Sequence, residues 1–391
     1  MGLALACCLS MSPSRRAAFR ILLQTLTGGF ASDLLRQPSD LSSRDAGLSS
    51  EIVFGCLRYQ AQLDFLIESL SGRSPRRLDP EVLVALRMGI YQLRYLDKIP
   101  RHAAVNESVE LVRRARKASA AGFVNAVLRK VNRESVAWPD RAVELSQPAW
   151  LLESWDRQFG PDAAERIARA FLSTPETWVH VAPGEDGGDA VLEATDLAGC
   201  YRLVSGDSTR FRIQDIGSQS IVPLLGLEPG QSFLDLCAAP GNKTAQALEF
   251  GVRAVACDIS PARLEPMKGL PCHLAVVDAT GPLPFGRRFD RILLDAPCSG
   301  TGTLGRNPEI KWRLQPGDLA RFQDRQAKIL ARALEVLAPG GRLVYSTCSL
   351  EREENEAVLE RVLDRIPAAI RRRLPGSDPG DGFFTAVIPS D

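Results

Sequence analysis

The chain has 391 residues, 45% hydrophobic and 24% charged, with a formal net charge of +1. At roughly 100–200 residues per domain, two or three domains with sizeable cores are expected, and a mainly disordered, collagen-like or disulfide-scaffold chain is excluded. No apolar run approaches the ~18 residues of a membrane-spanning helix.

The charge is unevenly placed. Residues 1–140 hold 20 Lys and Arg against 13 Asp and Glu, a net of +7, and the remainder nets −6. A basic N-terminal third suggests a surface facing a polyanion; a solvated basic face is the plainer reading. The nine cysteines form no CxxC and no zinc-spaced cluster with the three histidines, so no metal site is expected. An odd count without a framework points to a reducing, cytoplasmic setting. Met1–Ser10 is apolar, and the first arginine, Arg15, comes after it. A secretory signal carries its positive charge first, so this segment reads as a frayed tail or an upstream start, with Met11 the alternative start.

Residues 14–135 predict helices. Arg15–Leu26, Ser50–Leu70, Pro80–Leu96, Asn106–Lys117 and Ala120–Asn132 carry apolar residues at three- and four-residue spacing, the mark of one buried stripe. Val82, Leu83, Leu86, Ile90 and Leu93 form such a stripe. Pro80, Pro100, Pro139 and Ser71-Gly72 punctuate the segment. Arg113, Arg114, Arg116, Lys117, Arg129, Lys130 and Arg133 follow Leu111 with no acid among them. They suit RNA phosphates, against the alternative of a solvated helical face.

Residues 139–205 read as a mixed connecting subdomain. It has short helices at Trp150–Phe159 and Asp162–Leu172, a strand at Trp178–Ala182 and a turn-rich loop at Pro183–Gly188. From Gly206 strands and helices alternate. Ser232–Leu236 runs into Cys237-Ala-Ala-Pro-Gly-Asn-Lys243, and a helix follows at Thr244–Phe250. Arg253–Asp258, His273–Val277, Phe289–Leu294 and Arg342–Ser346 are further strands. The alternation predicts a parallel, doubly wound sheet.

In such sheets ligands bind beyond the carboxyl ends of the strands. Asp235, Asp258, Asp278 and Asp295 all stand at strand ends. Helix capping accounts for any one of them; four in register suggest a site for a ligand with hydroxyls and amines. The glycine turn has Gly241 alone, so it is neither GxGxxG nor GxxxxGK[ST], which disfavours a dinucleotide or a phosphate cradle. Asp258 follows Asp235 by 23 residues, near the ~20-residue interval at which a second-strand acid grips ribose hydroxyls. A nucleoside ligand without a pyrophosphate, such as S-adenosylmethionine (AdoMet), fits. Cys298 and Cys348 each follow a strand, whereas Cys56, Cys257 and Cys272 read as buried structural thiols. Two thiols, an acid and such a pocket suit methylation of a pyrimidine carbon. A thiolate adding at C6 of cytosine makes C5 nucleophilic, and a carboxyl at N3 supports the addition.

At these residues the chain resembles a known family. Asp235-Leu-Cys-Ala-Ala-Pro-Gly-Asn-Lys-Thr244, Asp295-Ala-Pro-Cys-Ser-Gly-Thr-Gly302, Lys311-Trp312 and Tyr345-Ser-Thr-Cys-Ser349 are similar to the motifs of RNA cytosine-C5 methyltransferases. Pro100-Arg-His-Ala-Ala-Val-Asn-Glu-Ser-Val-Glu110 and Gly122-Phe-Val-Asn-Ala-Val-Leu-Arg129 resemble a NusB-like RNA-binding domain. The pairing is the layout of the bacterial small-subunit ribosomal RNA methyltransferase B (RsmB/Sun) family, over roughly residues 12–391. It implies an all-α NusB-like domain at 12–138, the connecting subdomain at 139–205, and an α/β Rossmann-like class I AdoMet-dependent methyltransferase domain at 206–391.

The resemblance also implies roles. Cys237, Ala238, Ala239, Pro240, Gly241, Asn242 and Lys243 would form the AdoMet loop. Asp258 would hold the ribose, Asp278 the adenine region, and Asp295 would stand between cofactor and base. Cys348 would add to C6, Cys298 would assist release of the adduct, and Lys243 would place Asp295 and the base. Asn242 replaces the family's usual second glycine. Its side chain would crowd the methionine end or take a left-handed backbone position, which Asn tolerates. Asp215 would cap a helix or touch RNA, and Gly382–Val387 would be a last strand with core aromatics. The implied partner is 16S ribosomal RNA, free or in a partial particle, met by a cytoplasmic monomer without membrane or DNA. A tRNA substrate and a non-catalytic assembly factor are the competing readings; intact Cys298, Cys348, Asp295 and Lys243 speak against the second.

Overall fold

The computed structural model describes residues 11–286, 288–367 and 369–390. The start-site reading of Met1–Ser10 lies outside them. The chain divides into two compact units: one up to Ala149 together with Arg306–Trp312, the other Trp150–Gly305 with Arg313–Asp391. The 139–205 stretch is therefore split between the units.

The first unit is helical. Its main helices are α1 (Pro13–Leu26), α2 (Ala31–Arg36), α3 (Ser43–Arg58), α4 (Gln60–Ser71), α5 (Pro80–Tyr95), α6 (Arg101–Arg114) and α7 (Ala121–Lys130). The single helix expected at Ser50–Leu70 is two. The apolar stripe continues through the break, and Tyr59 (φ −96°, ψ 15°) ends α3 and opens α4. The start of α3 is earlier than the stripe, because the Ser42 hydroxyl caps it by accepting the Asp45 N–H at 3.1 Å. α5 is buried on nearly every face, which makes it the central helix. α3 approaches it at Gly55, where a Cβ would lie 1.9 Å from the Tyr91 ring.

The segment Arg306–Trp312 closes helix ends of this unit. Helix termini leave backbone groups without intrahelical partners. Glu309 Oε1 accepts the N–H of Ala31 at the start of α2, 2.8 Å away. Lys311 Nζ donates to the carbonyl of Arg58 at the end of α3 (3.0 Å) and to that of Ser146 (2.6 Å). Trp312 Nε1 donates to the Leu57 carbonyl at 2.8 Å. Lys311 is 1% exposed, and burial beside the Arg58 charge pushes its ammonium well below the usual lysine range.

The second unit carries two sheets. The small one is antiparallel, in the order β2-β3-β1-β4, from β1 (Trp178–His180), β2 (Val191–Ala194), β3 (Cys200–Ser205) and β4 (Arg212–Ile213). The large sheet has β5 (Ser232–Asp235), β6 (Arg253–Asp258), β7 (His273–Val276), β8 (Phe289–Asp295), β9 (Leu337–Thr347), β10 (Ala369–Arg373) and β11 (Phe383–Pro389). Its order is β10-β11-β9-β8-β5-β6-β7. The five strands from β9 to β7 are parallel, as expected, but β11 and β10 are antiparallel additions. The fully parallel expectation fails there because β10 and β11 are joined without a helical crossover, which parallel neighbours need. The order reverses between β5 and β8, and ligands bind in the crevice beyond the carboxyl ends at such a switch point. The helix Asp318–Glu335 turns Leu319, Gln326, Ala327, Ile329, Leu330 and Ala333 inward. No helix among the described residues is long and apolar enough to cross a membrane.

Lys311→Met removes the donor of two buried carbonyls while keeping most of the side-chain volume. We expect a loss of about 1–3 kcal/mol, read as a lower urea midpoint for the helical unit. An unchanged midpoint would deny Lys311 this role.

Candidate active site

The loop after β5 turns at Gly241 (φ 107°), where a Cβ would meet Met267 Cγ at 2.8 Å. Only glycine combines that angle with that contact. Asn242 is the first residue of the helix Asn242–Leu248 and does not take the left-handed position; its amide reaches the Ile213 carbonyl at 3.3 Å. The loop lines a cavity with Asp235, Cys237, Ala238, Ala239, Pro240, Asn242, Lys243 and Asp295 on its walls. Asp235 is 1% exposed. Its Oδ2 accepts the Thr244 hydroxyl at 2.7 Å, and the backbone N–H of Cys237 also donates to the carboxylate. Burial pushes this carboxyl up to about 7.

A second cavity shares Cys237 and continues along the strand ends to Asp258, Asp278 and Arg325, with Ile259, Val277, Ala279, Pro297 and Ile329 as apolar walls. Asp258 ends β6, nearly buried, and its Oδ1 accepts the Ser260 N–H at 3.0 Å. Arg263, which the sequence reading missed, faces Asp258 Oδ2 at 3.5 Å and donates to the Ala239 carbonyl at 3.1 Å. It thereby joins the loop to the end of β6. Asp278 lies two residues beyond β7; the N–H and hydroxyl of Thr280 hold its carboxyl below the usual range.

Beyond β8 and β9 lie the reactive groups. Asp295 Oδ2 pairs with Lys243 Nζ at 2.5 Å, and its Oδ1 accepts the Ser346 hydroxyl at 3.0 Å. Burial alone would lower Lys243, but the Asp295 charge outweighs it and holds the ammonium above its usual value. Cys298 Sγ and Cys348 Sγ stand 3.3 Å apart. The Cys298 thiol is pushed up by its hydrogen bond with Cys348, by burial and by the charges of Glu354 and Asp295. Burial also raises Cys56, Cys237 and Cys257, and Cys272 to a lesser depth.

The other sequence-singled residues separate. Asp215 caps Ile216–Gln219 through the Gly217 N–H at 2.8 Å and also accepts the Asp381 N–H at 3.0 Å. Phe383 and Phe384 are core, although the Phe383 ring lies 5.6 Å from Lys243 Nζ. In the helical unit, Arg113 and Arg114 flank Glu110 at 3.8 and 2.9 Å, and Lys117 pairs with Asp79 at 3.0 Å. Arg116 follows α6 with φ 62°. Arg129 and Lys130 end α7, and Lys130 Nζ donates to the Leu70 carbonyl at 3.0 Å. Arg133 instead binds the Leu93 and Leu96 carbonyls at 2.9 and 2.7 Å.

The two cavities, which share Cys237, carry residues of the kind AdoMet needs. The apolar slot between Asp258 and Asp278 would suit an adenine ring with ribose hydroxyls at an acid, and the Asp235 carboxylate on the wall of the first cavity would suit an ammonium. Fold and cavity together define an AdoMet-dependent methyltransferase. The 16S rRNA methyltransferase RsmB/F family matches residues 222–371, and the NusB family matches residues 12–133. Ribosomal RNA small subunit methyltransferase B of Klebsiella pneumoniae (strain 342) is 34% identical over 89% of this chain and 91% of its own length. The probable enzyme of that name from Bacillus subtilis is 32% identical over 86% and 85%. A solved methyltransferase homolog from Pyrococcus horikoshii superposes with a TM-score of 0.55 at 25% identity, covering 65% of this chain and all of that one. The chain belongs to the RsmB/F family of 16S rRNA methyltransferases.

Calorimetry tests the cavity. Asp258→Ala should weaken AdoMet binding by about 1–3 kcal/mol, as a buried carboxylate partner is lost. Asp235 must be ionised to attract an ammonium, so affinity should fall as the pH drops from about 7.5 to about 5.5, and Asp235→Asn should flatten that limb. Unchanged affinity in Asp258→Ala, or the same limb in Asp235→Asn, would remove that residue from the site.

Proposed function

We propose that this enzyme methylates C5 of a cytosine in small-subunit ribosomal RNA through a covalent adduct between Cys348 and C6. The observation that carries this reading is the pair of thiols 3.3 Å apart beside the Lys243–Asp295 pair. One sulfur can bond the base while the other stands against it. The family resemblance assigns the attack to Cys348, with Cys298 standing against it. The Cys348 sulfur forms the bond to C6, and the C5=C6 electrons move toward C4 and N3, where Asp295, oriented by Lys243, supports the proton. AdoMet, when bound, would supply an electrophilic methyl: C5 would bond it as the methyl–sulfur bond breaks and its electron pair leaves on the thioether product. Loss of the C5 proton to solvent restores the C5=C6 bond and breaks the C6–S bond. The electron pair returns to Cys348, and the Cys298 thiol donates to the departing sulfur.

The thiols should separate by role. Cys348→Ala should abolish methylation and form no adduct. Cys298→Ala should attack and transfer methyl, then stall as a nuclease-sensitive slow band on a denaturing gel. Trapping in Cys348→Ala would exchange the two assignments, and activity without adduct in both would sink the covalent route.

RNA docking is assigned to the exposed basic residues of the helical unit: Arg113, Arg114, Arg116 and Lys117 at the end of α6, and Arg129 and Lys130 at the end of α7. Their ion pairs are exposed, and such pairs contribute only about 0–1 kcal/mol, so phosphates can displace them. Arg113→Ala with Arg114→Ala should weaken RNA binding and lower the log–log salt slope by about 1–2. Equal affinity and slope would refute the assignment.

A further inference from the structure

Behind the two thiols lies a carboxylate that the chemistry above does not use. Glu354 is fully buried, and both its oxygens collect donors. Oε1 accepts the Ser299 N–H at 2.8 Å and Gln326 Nε2 at 3.0 Å. Oε2 accepts the Ser299 hydroxyl and, at 2.5 Å, the Ser349 hydroxyl. Ser299 directly follows Cys298, and Ser349 directly follows Cys348. Gln326 Nε2 also holds the Pro297 carbonyl, just before Cys298, at 3.0 Å. The Tyr345 hydroxyl donates to the Glu354 carbonyl at 2.6 Å and pins its backbone. A buried carboxylate is unfavourable unless donors surround it. A carboxylate that served only its own loop would need none from the Cys298 loop, yet two of the four donors are Ser299's.

We infer that Glu354 is a positioning residue. By binding Ser299 and Ser349 at once, it holds Cys298 and Cys348 at the separation from which both reach one base. The inference rests on the covalent reading above, so its test has an arm independent of catalysis. Diamide oxidises neighbouring thiols: two S–H bonds break, one S–S bond forms, and the N=N bond takes up both hydrogens. In the full-length chain without RNA, Glu354→Ala should slow Cys298–Cys348 cross-linking about tenfold, the loss expected for one charge-assisted hydrogen bond. Glu354→Gln, which keeps the shape and can still bond both serines, should restore most of the rate, separating positioning from proton transfer. Ser299→Ala removes one anchor and guards against misfolding of Glu354→Ala; it should slow cross-linking several-fold. In turnover, Ser299→Ala should accumulate the adduct seen in Cys298→Ala, with AdoMet affinity unchanged and both thiols present. Wild-type cross-linking rates in Glu354→Ala and Ser299→Ala would overturn the inference. Slowed cross-linking, with activity and no adduct in both Cys298→Ala and Cys348→Ala, would uphold the tether and overturn the covalent reading instead.

Discussion

The reactive groups of this molecule depend on the register of β8 against β9. The strands pair in parallel with Asp295 level with Ser346. Cys298 comes three residues after the first and Cys348 two after the second, so the thiol loops leave the sheet at one height. On the other side β5 pairs with Asp235 beside Leu293, which aims the following helix, and Lys243 with it, at Asp295. A slip of one residue turns every side chain to the opposite face. Here it would part Asp295 from Ser346 and from Lys243 together. Phe289 and Ile292–Leu294 on β8, and Leu343–Thr347 on β9, are fully buried, so the core enforces the register as strongly as the ladder does.

What the sequence made legible follows from that geometry. A strand buried on both faces reads as an apolar run, and the acid that ends it marks the sheet's edge. The ends of β5, β6 and β8 were therefore readable to within a residue. β2, β3 and β4 were not: they are short and half-exposed, so neither alternation nor an apolar run sets them apart. The break at Tyr59 was hidden because two consecutive helices share one stripe. Lys311 and Trp312 stood out as a motif, but a motif's sequence position says nothing of which unit it joins. Their caps on α3 use backbone carbonyls, which leave no trace in side-chain pattern. Glu354 was invisible for a related reason, since an acid six residues after a thiol reads as a solvated helix start.

The cysteines and the basic run show the same limit. Composition cannot grade one thiol against another, whereas burial can. Burial raises Cys56, Cys237 and Cys257, and among the described residues Cys298 and Cys348 face each other's sulfur. The run from Arg113 to Arg133 contains no acid, yet folding supplies Glu110 from one turn back and Asp79 from before α5. It also diverts Arg133 onto the carbonyls that end α5. A local charge count thus misses the acids and carbonyls that folding brings to the run.

The site is built at the expense of stability, and the cofactor offsets part of that expense. Asp235 and Glu351 are both driven up to about 7 by burial, although Ser154 and Trp155 each donate to Glu351 at 3.0 Å. Unfolded, such carboxyls titrate near 4. A raised folded value means that the folded state holds its proton more tightly. The resulting stability is complete below about pH 4 and is lost as the pH rises through about 7. At neutral pH and above, the apo protein therefore carries ionised carboxylates in dry surroundings. Glu351 has donors for both oxygens. Asp235 is held by the Thr244 hydroxyl and the Cys237 N–H and stands on the cavity wall, where a cationic ligand group would offset its charge. In the proposed binding mode the ammonium of AdoMet meets it. Cofactor binding and neutralisation of a buried charge are then one event, and the ligand stabilises the folded enzyme most where the empty site is least stable.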